Sequence, residues 1–334
     1  MTTSRKFFFL PFISFLLRSC TAFTTLITFD VDGTLVSSST GWEKGAHGRS
    51  FVHAVDSFLQ HSSTNRIGDK TIPDLLEGPE FHGSTDGLIL LRLVRKVLGS
   101  SFDPKHAASE VDGMMSEMYN FVSQCSDEEV ATGIAPLPGV INTLQTLATN
   151  DIGSGVACGL VTGNVEGIAR RKMKALGIHD TGALTALKQP QGGRKWDGTE
   201  DIRFLGGFGS DYCSGDIDNH ERNYLDRGEQ IAICVRRCLD LSNDHSLKRV
   251  IHVGDAPADI LAAKSYVNHS EKPEGLCVSV IGVATGSYSV DDIQRLCGKT
   301  IPGVWEPHVL EQGQGVGNEK EFLSACGLLG NISL

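Results

Sequence analysis

Short apolar runs at residues 25–29, 155–161, 203–206, 249–253 and 277–283 alternate with segments whose apolar residues recur every three or four positions, at 138–148, 165–176, 228–241 and 257–266. Unbroken apolar runs of this length fit strands covered on both faces, and the three-to-four spacing fits the helices that cover them. The predicted fold class is therefore α/β, a doubly wound parallel sheet. In such sheets ligands sit outside the carboxyl ends of the strands, so chemistry is expected just after each run.

The alternation breaks between 36 and 135, far too long for an ordinary connection. Helical patterns at 88–98 and 107–125 dominate there, which predicts an inserted α-helical cap. The expected organisation is a presequence at 1–22, core at 23–36, cap at 37–135 and core again at 136–334. A second, polar stretch at 181–200, rich in Gly, Gln and Lys, reads as a loop.

A chain of 334 residues, 40% hydrophobic and 21% charged, can build a large core. Its net charge of -10 argues against nucleic acid as a partner, because such surfaces carry a basic stripe. Arg170, Arg171, Lys172 and Lys174 form a local cluster that reads as a solvated helix face.

Arg5 and Lys6 precede an apolar run at 7–17, followed by the small residues around Cys20, Thr21 and Ala22. This resembles a secretory signal peptide; a misplaced start codon or a helix packed on the domain is the alternative. The run is too short for a membrane span, so no stable membrane insertion is expected. The nine cysteines do not resemble a disulfide framework: Cys158 and Cys277 fall in strand-like runs, while Cys234 and Cys238 share a helix face as small core residues. Reduced thiols behind a signal peptide fit routing through the endomembrane system into a plastid. The Ala22-Phe23 junction resembles that of algae with secondary plastids. A secreted or cytoplasmic location is the alternative.

Chemistry-bearing residues recur where the strands end. Asp30-Val31-Asp32-Gly33 follows the first run, and paired carboxylates before a sharp turn suit a hard divalent cation. The second run ends Thr162-Gly163-Asn164, presenting a hydroxyl and backbone N–H groups before a helix, a natural cradle for a phosphoryl oxygen. The fourth ends Gly254-Asp255, with Pro257 suited to open a helix and Asp259 placed to support a cation.

These residues, taken in this order, resemble a haloacid dehalogenase superfamily phosphatase with a cap inserted after the first strand, from about residue 24 onward. The resemblance implies a Mg2+-dependent phosphomonoester hydrolase that acts on a small-molecule phosphate ester through an aspartyl phosphate. It implies Asp30 as nucleophile and Asp32 as acid and base. Asp30, the Asp32 carbonyl, Asp255 and Asp259 would serve the metal, while Thr162, Gly163, Asn164 and a basic residue would bind phosphate. That basic residue belongs at the start of the helix before the fourth strand. Arg227 fits best, Arg222 is the rival and Lys188 is a distant third. The run 282–286 after the fifth strand also resembles the family.

The segment 81–86 resembles the substrate-facing turn of caps in phosphoglycolate phosphatases. His82 and Asp86 there also suit capping or surface roles, so they stay outside the expected site. A sugar-phosphate mutase of the same superfamily keeps every one of these motifs. Asp32 tells against a 2-haloacid dehalogenase, which has no Asp two residues after its nucleophile. The cap and the Asp30/Asp32 pair tell against a phospho-acceptor signalling domain.

Overall fold

The computed structural model describes residues 23–38, 44–62, 83–149, 154–188, 202–242, 246–311 and 315–329, with residues 152 and 313. The presequence, including Ala22, and His82 lie outside the described residues. No helix among those described is long and apolar enough to cross a membrane.

Strands β1 (Thr25–Phe29), β4 (Val156–Thr162), β7 (Gly206–Phe208), β8 (Arg249–Gly254), β9 (Cys277–Gly282) and β10 (Trp305–Val309) form one parallel sheet in the order β10-β9-β8-β1-β4-β7. Every residue of β4 and β9 is buried, as unbroken apolar runs require when both faces are covered. One face packs on α5 (Val140–Leu147), α6 (Glu166–Ala175) and α10 (Glu319–Ala325), through Leu144, Met173 and Phe322. The other packs on α7 (Asn223–Ser242), α8 (Pro257–Tyr266) and α9 (Val290–Cys297), through Val235, Tyr266 and Ile293. Cys234 and Cys238 belong to this second layer, and the eight cysteines of the described residues are free thiols.

The segment after β1 crosses out of the core on β2 (Val36–Ser38) and returns on β3 (Ile134–Pro136), which pair antiparallel. Between them lie α1 (Ala46–Ser62), α2 (Asp86–Leu98), α3 (Pro104–Ser123) and the short α4 (Asp127–Val130). Their apolar faces share one cluster that also takes in Val165 and Ile168 from the core. Buried Arg92 of α2 reaches the Ile217 carbonyl at 3.3 Å and Asn223 Oδ1 at 3.0 Å. These bonds seat the helical insert on the loop before α7.

Three expectations need correction. The run at 203–206 straddles two strands: β6 (Ile202–Phe204) pairs antiparallel with β5 (Ala186–Lys188), and only β7 joins the sheet. Leu205 is the crossover, donating its N–H to the Thr185 carbonyl and accepting from Leu160 N–H on β4. The stretch read as a loop from 181 therefore contains a strand, and helix α7 begins at Asn223 rather than near 228. The sheet's sixth strand, β10, has no counterpart among the predicted runs because a proline and a histidine interrupt its apolar pattern.

Candidate functional site

Parallel register places the chemistry. Phe29, the last residue of β1, stands opposite Val253 of β8 and Leu160 of β4, so the residues that follow these three strands emerge side by side. Asp30 continues the ladder with its N–H on the Val253 carbonyl. The turn after it needs Gly33, whose φ of +91° is a left-handed conformation and whose missing side chain leaves room for the Asp255 carboxylate. Thr34 donates to Asp255 Oδ1 at 3.1 Å, and Thr285, in the 282–286 run, donates to the Gly33 carbonyl at 2.6 Å. Both bonds tie the β1 turn to its neighbours.

Asp30, Asp255 and Asp259 form the floor. All three are buried, and one oxygen of each lies within 4.8 Å of the others. Asp259 sits in the first turn of α8, where its Oδ2 accepts from Ala256 N–H at 3.0 Å and its Oδ1 lies 3.5 Å from His252 Nε2. Arg227, buried in α7, makes an ion pair with Asp30 at 3.1 Å and a shorter one with Asp259. One guanidinium thus faces three acids. Burial raises the Asp30 carboxyl well above its usual range against the pull of Arg227, with Asp259 and Asp255 adding to the rise. Burial and Asp259 push Asp255 up to about 7. Burial would also raise Asp259, but Arg227 and His252 outweigh it and hold Asp259 at about 2. Three clustered carboxylates sharing one guanidinium are a donor set for a hard divalent cation, so these residues fit an ion such as Mg2+.

Asp32 has other partners. Lys172 of α6 donates to both its oxygens, at 3.0 and 2.9 Å, and to Asn164 Oδ1 at 2.9 Å. Burial would raise Asp32, but the Lys172 ammonium and His47 hold it below the ordinary range. The reading of residues 170–174 as a solvated face is wrong for Lys172 and Arg170, which are buried; Lys174 is exposed. The signal was present in the sequence. Lys172 follows Ile168 by four residues and precedes Leu176 by four, so it belongs to the apolar stripe of α6.

Thr162 is buried, and its Oγ1 accepts from Asn164 N–H at 3.3 Å. Gly163 has no side chain because the Ser84 carbonyl of the insert occupies that space. Of the rival basic residues, Arg222 is exposed and lines a separate polar cavity, while Lys188 lies in β5 with its side chain outside the described residues.

A cavity of about 380 Å³ joins both carboxylates to the insert. Its core wall includes Thr162, Gly163 and Lys172, and its insert wall includes His47, Phe51 and Ile89. Sequence reasoning missed His47 and left Asp86 aside. Thr85 caps α2 by accepting from Leu88 N–H, so Asp86 opens the helix and is free to work elsewhere. Asp86 Oδ2 accepts from Val165 N–H at 2.8 Å and lies 3.2 Å from His47 Nε2, while its own N–H donates to the Gly163 carbonyl. It is buried and joins the insert to the Thr162 loop.

A model of the haloacid dehalogenase-like hydrolase family matches residues 24–266. The chain belongs to that family. This haloacid dehalogenase-like hydrolase is similar to a solved 2-haloacid dehalogenase from Pseudomonas syringae pv. tomato DC3000, with 16% identity, a TM-score of 0.35, and coverage of 90% of this chain and 98% of that one. No curated protein matches the chain. The family match makes the molecule a hydrolase, and its six-stranded parallel sheet with flanking helices is the family's α/β core.

Proposed function

We propose that this hydrolase cleaves small phosphate monoesters through an aspartyl-phosphate intermediate. The observation that carries the reading is the pair Asp30 and Asp32, which leave β1 two residues apart and line one cavity in opposite surroundings. Asp30 lies in the acid cluster beside Arg227, and Asp32 lies against Lys172.

An Asp30 carboxylate oxygen attacks phosphorus in line, and the bond from phosphorus to the leaving oxygen breaks as Asp32 gives that oxygen its proton. Water then attacks phosphorus and passes a proton to Asp32. The Asp30–phosphorus bond breaks, free phosphate leaves and the Asp30 carboxylate is restored. Asp30, Asp255 and Asp259, with the Asp32 carbonyl, would hold Mg2+, which when bound supplies charge neutralisation between carboxylate and phosphoryl group. Thr162 Oγ1, backbone N–H groups of the 162–164 loop and Arg227 would receive the phosphoryl oxygens, preorganised donors of the kind that contribute a few kcal/mol each. The insert closes the cavity to about the volume of a small metabolite and carries the specificity.

The test is a panel of phosphomonoesters with purified protein and Mg2+, read as free phosphate. Turnover of at least one ester, abolished by a chelator, is expected. Halide release from 2-haloacids without phosphate release from any ester would overturn the reading.

A further inference from the structure

We propose that Lys172 positions Asp32 for proton transfer; this rests on the phosphatase reading above. The lysine serves three acceptors, both Asp32 oxygens and Asn164 Oδ1, which is the full donor capacity of an ammonium. Its side chain is 3% exposed, whereas that of Asp32 is 38% exposed. The cation is therefore embedded in α6 and grips the carboxylate from behind, leaving the carboxylate's outer side on the cavity. Burying an ammonium costs several kcal/mol unless its partners compensate, so this is a built contact rather than a chance surface pair. Asn164 belongs to the loop that also carries Thr162, so the same lysine joins the phosphate-binding loop to the proton carrier. The lysine touches Asp32 rather than the reacting atoms, and its effect is to keep an Asp32 oxygen aimed at the leaving oxygen as the phosphorus–oxygen bond breaks.

Leaving-group dependence separates this role from a general structural one. An alkyl alcohol needs the proton of Asp32 as it departs, and an aryl phenolate needs it far less. Lys172→Met should lower kcat/KM for an alkyl phosphate, which reports the step that expels the alcohol, by about a hundredfold, the scale of lost acid–base catalysis, with a much smaller loss of kcat/KM on an aryl phosphate. Lys172→Arg, which keeps a paired donor for the carboxylate, should recover part of the alkyl rate. In an Asp32→Asn background Lys172→Met should add little, because residues acting as one unit are not additive. If Lys172→Met does not fold, Lys172→Arg and Asn164→Ala carry the test, and the alkyl rate must again fall more than the aryl rate. An equal loss of kcat/KM on both esters, or no loss on either, would overturn the proposal while leaving the phosphatase reading intact. A wild type that releases phosphate from neither ester would overturn both.

Discussion

Asp30 and Asp32 are separated by one residue in the chain and by a wide gap in environment. Asp30 is buried among Asp255, Asp259 and a shared Arg227, and its carboxyl is raised by burial. Asp32 is held by Lys172, with His47 nearby, and its carboxyl is lowered despite burial. In a straight strand residues i and i+2 share a face, but the chain leaves β1 after Phe29 and turns at Gly33, so Asp30 and Asp32 do not stay on one side. The turn thereby gives the two carboxylates different neighbours, and under the proposed reaction these would give them different jobs: one beneath the phosphoryl group with the cation, one beside the leaving oxygen.

The largest expected effect breaks this comparison outright. Asp30→Asn, nearly isosteric, should cut turnover by about 10^4-fold or more and leave no covalent adduct, since the attacking oxygen is gone. Asp32→Asn should also stop steady turnover, yet with an aryl phosphate it should accumulate one phosphoryl group on the protein, visible by intact-protein mass spectrometry. Adduct on Asp30→Asn, or wild-type turnover by Asp32→Asn, would show that the two carboxylates do not divide the work this way.

Next in size is Arg227→Met. Removing one partner of a buried ion pair leaves uncompensated charge and typically costs about 3–5 kcal/mol, and here the guanidinium is bonded to both Asp30 and Asp259. Denaturant unfolding should show that loss. Mg2+ should then stabilise the variant more than it does the wild type, because the ion would replace the missing positive charge. A variant as stable as wild type would mean the three acids do not depend on Arg227.

Cation removal is a smaller lever on stability. Mg2+ at about 100 times its Kd should stabilise the wild type by about 2.7 kcal/mol, through binding to the folded state alone. Asp255→Asn should lose most of that gain, whereas Lys172→Met should keep it, because the three hydrogen bonds of Lys172 go to the Asp32 carboxylate and Asn164. Thermal unfolding with and without Mg2+ measures both. An equal gain in Asp255→Asn would place the ion elsewhere.

The floor was legible in the sequence and the wall was not, for a physical reason. Asp30 and Asp255 follow buried strands and Thr162 ends one, and parallel register brings such residues together whatever lies between them. Arg227 lies in α7, a helix whose predicted start fell a turn late, yet the side chain still reaches Asp30. Lys172 was misread because four cations in five residues suggest solvent, although the three-to-four spacing put one of them on the apolar stripe. His47 and Asp86 meet through packing of α1 against α2, and α2 in turn is bonded to the Thr162 loop, contacts far apart in the chain. No local pattern encodes them. The split strand at 203–206 has the same origin: Leu205 bonds to two different neighbours, and an apolar run alone does not say which strand each residue will pair with.

The smallest expected effect sharpens the comparison within one helix. Lys174 lies one residue beyond Met173 on α6 and is exposed, while Lys172 is buried and bonded. Both carry the same charge, and both lie in the last turn of α6, so any influence through the overall field of the protein or the helix dipole should be similar for the two. What differs is contact with Asp32. Lys174→Ala should change stability by no more than about 0.5 kcal/mol and leave kcat on alkyl and aryl phosphates unchanged. Lys172→Met, assayed beside it, should separate the two esters. If Lys174→Ala lowered the alkyl rate as much as Lys172→Met does, the effect would belong to the positive charge of α6 as a whole, and the three hydrogen bonds of Lys172 would have no special claim on the proton carrier.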